Sequence, residues 1–261
     1  MDKLAGPMIV ALRTIATAAA LALACAATPA DAAARKAKVQ QGYSAGAQQI
    51  LARARAATGG AGWSLLRGWH ETGHIGGPGG SWAYEAWFDT LRYGSRIETH
   101  GPESQGGGVS VRGFNGQGGW TISPGGASTP IDDRAQAAQI RTEAFLGGGG
   151  IFYTSRFDAH GETLGARQLH GRTFDVINVQ PWSGAARELW FDRATHRLAR
   201  IVDRTTPRPV TTELSDYRKV GPLLVAFHAR IEGAGPPQDR QIDTVIFAPP
   251  DRALFSLPRT P

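Results

Sequence analysis

Cysteine is almost missing from this chain. The one copy, Cys25, lies in an N-terminal stretch that reads as a leader, so nothing beyond Ala32 offers a thiol. Thiol catalysis, cysteine-ligated metals and a disulfide framework are thereby excluded for the remainder. Lysine is nearly as scarce. Only Lys36, Lys38 and Lys219 follow the leader, and scattered arginines carry most of the net charge of +6. Runs of like charge are absent beyond Arg35-Lys36-Ala37-Lys38, as is the aromatic–basic spacing of nucleic-acid modules. Nucleic acid is therefore not an expected partner, and weak attraction to an anionic membrane surface is the most that the charge implies. No Asp-Thr-Gly or Asp-Ser-Gly triplet occurs, since Asp89-Thr90 is followed by Leu91. Phosphate loops and dinucleotide fingerprints are also lacking. Gly147 to Gly150 carry no Lys-Ser/Thr after them, so they do not make a phosphate cradle. No cofactor is expected. Without internal repeats or strand–helix alternation, a doubly wound parallel sheet is disfavoured.

What is present starts with an address. Lys3 and Arg13 bracket a short positive region, and Thr14 to Thr28 is apolar but short for a membrane span. Ala30-Asp31-Ala32 follows as an A-x-A site. Residues 1–32 are read as a signal peptide cleaved after Ala32, with the periplasm as destination. Lipid anchoring at Cys25 is disfavoured, because Leu23 in Ala22-Leu23-Ala24 stands one place too late for a lipobox. Residues 33–43 read as a flexible arm and 44–261 as one domain, expected to be a monomer.

Ser44 is an N-cap candidate for a helix from Ala45 to Thr58, stopped by Gly59-Gly60. Asp132-Asp133 cap a second helix over 134–146, which Gly147 to Gly150 end. Elsewhere short aromatic and β-branched runs alternate with glycine clusters. Strands are expected near 65–75, 81–89, 92–100, 108–114 and 118–123, then 163–170, 173–180, 186–192, 197–204, 209–217, 223–232 and 240–248. The fold class is α+β, mainly antiparallel β.

Two catalytic patterns match by letter. His70-Glu71-Thr72-Gly73-His74 satisfies H-E-x-x-H, which needs a helix to set both histidines on one zinc. Gly68, Gly73 and Gly76-Gly77-Pro78 argue against a helix here. On a strand the two histidine Cα atoms stand about 13 Å apart, too far to share a metal. The strand reading prevails, and a zinc peptidase through His70, Glu71 and His74 is kept as an alternative. Glu98 and His100 are the nearest further donors. Gly42-Tyr43-Ser44-Ala45-Gly46 satisfies G-x-S-x-G, but no buried strand precedes it, so helix capping is the expected role of Ser44.

Seven tryptophans remain to be accounted for. Core packing explains most of them. An open curved sheet with an apolar face can also hold a lipid or acyl chain, and Trp69, Trp82, Trp87, Trp120 and Trp190 are candidates for the wall of such a site.

The order of features resembles a known family. Ala56-Ala57-Thr58-Gly59-Gly60 is followed by a Trp-containing segment and a strand. Then come Trp87-Phe88-Asp89, Arg112-Gly113-Phe114-Asn115-Gly116 before Trp120, and Glu188-Leu189-Trp190-Phe191-Asp192 with Thr195 and Leu198. Leu214-Ser215-Asp216-Tyr217-Arg218 and a close at Asp251 to Phe255 complete the series. Over about 45–258 the chain is similar to LolA-like periplasmic domains of outer-membrane lipoprotein carriers. It is most similar to the domain found N-terminal to retropepsin-like aspartyl proteases. The resemblance implies an incomplete antiparallel β-barrel with helices covering its open concave face, and a non-enzymatic binder of an apolar ligand or lipoprotein acyl chain. Ending at Pro261, the chain looks like that domain alone, so no catalytic residue carries over. An accessory role toward a separate periplasmic protease or envelope complex is the alternative partner relation.

Overall fold

The structure, a computed structural model, describes residues 42–101 and 107–257. The expected signal peptide, Cys25 and most of the expected arm lie outside these residues. Ser44 opens the first helix as its chemistry demands: its hydroxyl accepts from the Ala47 amide at 3.3 Å. Helix α1 (Ala45–Thr58) follows and buries Ala47, Ile50, Leu51 and Ala54 on one side. It ends at Gly59, whose φ of 144° suits glycine alone, and a Cβ there would lie 2.8 Å from the Pro222 carbonyl. The turn α2 (Gly62–Leu65) comes next. Asp133 caps α3 (Arg134–Gly147) by accepting from the Gln136 amide at 2.8 Å.

Among the described residues fourteen strands make one sheet. A first meander comprises β2 (Trp69–Gly77), β3 (Gly80–Asp89), β4 (Gly94–His100), β5 (Val109–Asn115), β6 (Gly119–Ile122) and β7 (Ser128–Ile131). The second comprises β8 (Ala159–Leu169), β9 (Arg172–Pro181), β10 (Arg187–Asp192), β11 (Leu198–Asp203), β12 (Val210–Val220), β13 (Leu223–Glu232) and β14 (Gln238–Ile246). Neighbouring strands of each meander pair antiparallel, as short connections require. The last strand, β14, returns to pair with β2 and joins the two halves. The two-residue β1 (Gly42–Tyr43) lies parallel to β8 at one edge, and β7 forms the other. Among the described residues the edges do not meet, so the sheet is open.

Side chains alternate between the two faces. One face carries the helices. There α1 packs with Ile177, Val179, Leu189 and Phe191, joined by Phe145 of α3. Trp63 and Tyr153 pack on Val225, Phe227 and Ile242, and α3 sets Ile140 and Ala144 against Phe114. On the other face the C-terminal turn Arg252–Phe255 straps β4 to β6: the Trp120 indole donates to the Phe255 carbonyl at 3.1 Å.

Several expected boundaries change. Gly42–Tyr43 was assigned to the arm but pairs with His160 and Gly161. The first strand begins at Trp69 rather than 65, because α2 occupies Gly62–Leu65. Thr90–Tyr93 is a turn ahead of β4, held by Asp89 accepting from the Leu91 and Arg92 amides. The edge strand β7 escaped the sequence reading because Pro130 removes a ladder donor, which only an edge tolerates.

The turn after β10 supplies a pH test. Asp192 accepts from the Thr195 amide at 2.8 Å and hydroxyl at 3.0 Å, and pairs with Arg172 at 2.9 Å. Burial alone would raise its carboxyl. The Thr195 and Arg172 contacts outweigh burial and hold it below the usual carboxylate range. A depressed folded pKa gives stability that is present above the unfolded value near 3.9 and fades as pH falls through the folded value. Stability to urea is expected to drop in acid below about pH 4. Asp192→Asn is expected to cost about 1–3 kcal/mol at pH 7 and to soften that acid loss. An equally steep acid loss in the variant would show that Asp192 does not contribute to it.

Candidate functional site

The HETGH stretch lies on β2. His70, Thr72 and His74 point to the helix-free face, and Trp69, Glu71 and Gly73 to the helix-bearing face. His70 stacks on Trp87 with ring centroids 4.9 Å apart and meets Glu85 Oε1 at 2.5 Å. His74 Nδ1 pairs with Asp243 at 2.8 Å. With the histidines four positions apart on an extended strand and Glu71 on the opposite side, the zinc set His70, Glu71 and His74 is not assembled. A strand period of two replaces the helical period that the motif needs.

Glu71 is instead the unusual residue of the helix-bearing face. It is 1 % exposed. The Tyr84 hydroxyl donates to it at 3.1 Å, and Arg240 Nη1 stands 3.7 Å away, an ion pair without a hydrogen bond. Burial, then the Glu71 charge, push the Tyr84 phenol above its ordinary range. Two donors beside this cluster, Arg240 Nε and Trp69 Nε1, are buried without a partner among the described residues. Buried charge is costly unless paired and hydrogen-bonded, so a half-satisfied cluster marks a candidate site.

An apolar strip adjoins it. Trp69, Ile75 and Ile97 pack half-buried against Tyr84, Ala86 and Phe88, and Trp82 stands beside Ile75 across the β2–β3 ladder. Further along the same face the space under the helices is occupied by rings. Tyr93 lies 5.1 to 5.7 Å from Phe114, Phe145 and Phe157, and Trp63 lies 4.4 Å from Phe152. Tyr43 and Tyr93 each bury a hydroxyl without a partner among the described residues, and burial raises both phenols. Two depressions among the described residues, about 640 and 650 Å³, both open to solvent. The larger runs along α1 past Leu51, Arg55, Ile151 and Phe152.

The five tryptophans chosen from the sequence do not form one wall. Trp69 and Trp82 lie on the helix-bearing face. Trp87 and Trp120 belong to the opposite face, where register aligns Trp87 with Arg96, Gly113 and Trp120. Trp190 also lies there, against Phe174 with Arg200 over its ring. Sequence reasoning missed Tyr84, Arg240 and the ring cluster. Tyr84 was legible as a residue of alternating parity with Trp82, but Arg240 reaches Glu71 only through the β14–β2 pairing. Ser44 caps α1, and the strand before it, β1, is a two-residue strand at the sheet edge rather than the buried central strand that a nucleophile elbow needs.

Solved structures share the architecture. A LolA superfamily protein from Nitrosomonas europaea, 15% identical, aligns with a TM-score of 0.54 over 80% of this chain and 97% of that one. A DUF1329 family protein from Desulfovibrio piger, 13% identical, gives a TM-score of 0.54 over 80% and 97%. At such identities the likeness defines architecture, and the chain has a LolA-like fold. No protein-family model matches the sequence, and no curated protein does.

Proposed function

We propose that this protein is an exported, non-enzymatic envelope protein that binds an apolar ligand, a lipid or acyl chain, on the helix-bearing face of its sheet. In this reading α1 and α3 cover most of the concave side, and the ligand lies along the strip they leave open. The observation that carries it is the half-exposed apolar strip Trp69–Ile75–Trp82–Ile97 ending at the buried Glu71–Tyr84–Arg240 cluster. A mostly apolar lining with a few convergent polar groups is what recognition of such a molecule requires. Arg240, a third exposed, supplies the cation that a carboxylate or phosphate headgroup would meet. The LolA-like fold supports this reading, as does the expected export signal over 1–32. The finer kinship with domains that precede retropepsin-like proteases belongs to the same proposal.

The test is extraction of the purified protein for co-purifying lipid, with titration of a fluorescent fatty-acid analogue. Saturable binding is expected, about tenfold weaker in Trp82→Ala, whose ring is half-buried and not needed for the core. No lipid in the extract and no saturable response would sink the carrier reading.

A second reading has its own observation. β8 pairs on its outer edge only through His160 and Gly161, which leaves Glu162–Leu169 uncovered among the described residues. Trp182, whose amide donates to the Asp158 carbonyl just before β8, is 63% exposed. An uncovered edge accepts an extended segment as an added strand, which suits an accessory domain of an envelope complex. Recovery of a partner from envelope extract by wild-type protein but not by Ala166→Pro would favour it.

A further inference from the structure

The helix-free face carries a second cluster of donors. Register sets Glu85 of β3 directly opposite Glu98 of β4, and His100 lies two residues past Glu98 on the same side. One donor atom from each of these three lies within 4.8 Å of the others. Like charges directly opposite on a ladder destabilise the pair. Two neighbours offset part of this. Arg96 donates to Glu98 Oε1 at 2.6 Å, and His70 meets Glu85 Oε1 at 2.5 Å. Each neighbour engages one oxygen of one carboxylate and leaves the second oxygen available. The His100 imidazole, beside both carboxylates, has no hydrogen bond or ion pair among the described residues. The neighbours account for the charge, but not for an imidazole set beside two carboxylates whose second oxygens have no partner among the described residues.

We propose that Glu85, Glu98 and His100 bind a divalent first-row transition metal, with zinc the best fit, and that His70 and Arg96 position the two carboxylates. Two carboxylate oxygens and one imidazole nitrogen are a zinc donor set with room for water as fourth ligand. In a tetrahedral site with ligands near 2.1 Å, donor atoms stand about 3.4 Å apart. The three must therefore draw in by up to about 1.4 Å, which side-chain rotation of partly exposed residues allows. Partners that hold a carboxylate ligand from behind are the usual support of such a centre. His70 is suited to this role, because stacking on Trp87 fixes its ring plane. The site differs from the letter motif. Glu71 faces the other way, His74 belongs to Asp243, and only His70 takes part, at one remove from the metal. The site stands independently of lipid binding.

Calorimetric titration of zinc chloride into chelator-treated protein tests this. One equivalent is expected to bind, at least tenfold more weakly in Glu98→Gln and in His100→Ala. About a tenfold loss is expected in His70→Gln, and no change in His74→Ala. Thermal melting without metal checks that each variant is folded. Should a variant fail that check, the cobalt spectrum of the wild type decides instead. A tetrahedral spectrum at one equivalent supports the site, and that of aqueous cobalt overturns it. Absence of one-equivalent zinc binding, or affinity untouched by both Glu98→Gln and His100→Ala, also overturns it.

Discussion

Gly73→Val is expected to unfold the sheet at its central seam. A Cβ at Gly73 would lie 2.1 Å from the Gln241 carbonyl oxygen, 2.8 Å from the Tyr84 ring and 3.0 Å from the Ile242 Cα. Two of the three neighbours are backbone, so no rotamer change makes room. The crowding coincides with a bulge in β14, where the ladder skips Asp243 between Ile242↔Gly73 and Thr244↔Thr72. A glycine inside a strand often marks such a close approach of backbone. Overpacking costs about 1–3 kcal/mol where side chains can yield. Here the β2–β14 ladder must also part, so about 3–5 kcal/mol is expected, adding one or two lost ladder bonds. Gly76→Ala in the same strand is the control. Its nearest neighbour would be Asp239 O at 3.7 Å, ordinary contact, and a change within about 0.5 kcal/mol is expected. Urea midpoints of the two variants give the answer. Similar midpoints would refute the seam argument.

Trp120→Ala is expected to cost about 3–5 kcal/mol and to free the C-terminal strap. Trp120 is 1 % exposed. Its ring occupies the place a side chain would take at Gly113, where a Cβ would come within 2.2 Å of the indole. Arg96 lies over the ring with its guanidinium carbon 5.4 Å from the centroid. Phe255, 5% exposed, fills the neighbouring space above Gly94. Truncation would leave a cavity, strip the Phe255 carbonyl of its donor, and expose the turn Arg252–Phe255. The measurement is a urea melt with limited proteolysis read at the C-terminus. Early cleavage after residue 251 is expected in Trp120→Ala, and a strap as resistant as in the wild type would contradict the assignment. Because Trp120 sits on the helix-free face, Trp120→Phe should leave fatty-acid binding unchanged.

Much of the secondary structure was legible because its causes are local. Ser44 and Asp133 each accept from an amide three residues on, and glycine follows each helix. The glycines of 68–77 rule out a helix there by cost alone, so β2 followed without knowledge of its partners. The α2 turn, whose last residue Leu65 was expected to open the first strand, was missed because the packing of Trp63 on Tyr153 and Leu223 is distant in sequence.

What the sequence determined by itself is thus the set of local decisions: two capped helices, a run of antiparallel strands, and His70 and His74 on one side of β2 with Glu71 on the other. Only the tertiary structure decided which side meets the helices. Alternation fixes the parity of residues within a strand and says nothing about which parity faces inward. That choice comes from the packing of α1, α3 and the Trp63 turn on one face, which the β14–β2 pairing carries across some 170 residues of sequence. It buries Glu71 beside Arg240, leaves His70 on the open face beside Glu85, and divides Trp69 and Trp82 from Trp87, Trp120 and Trp190.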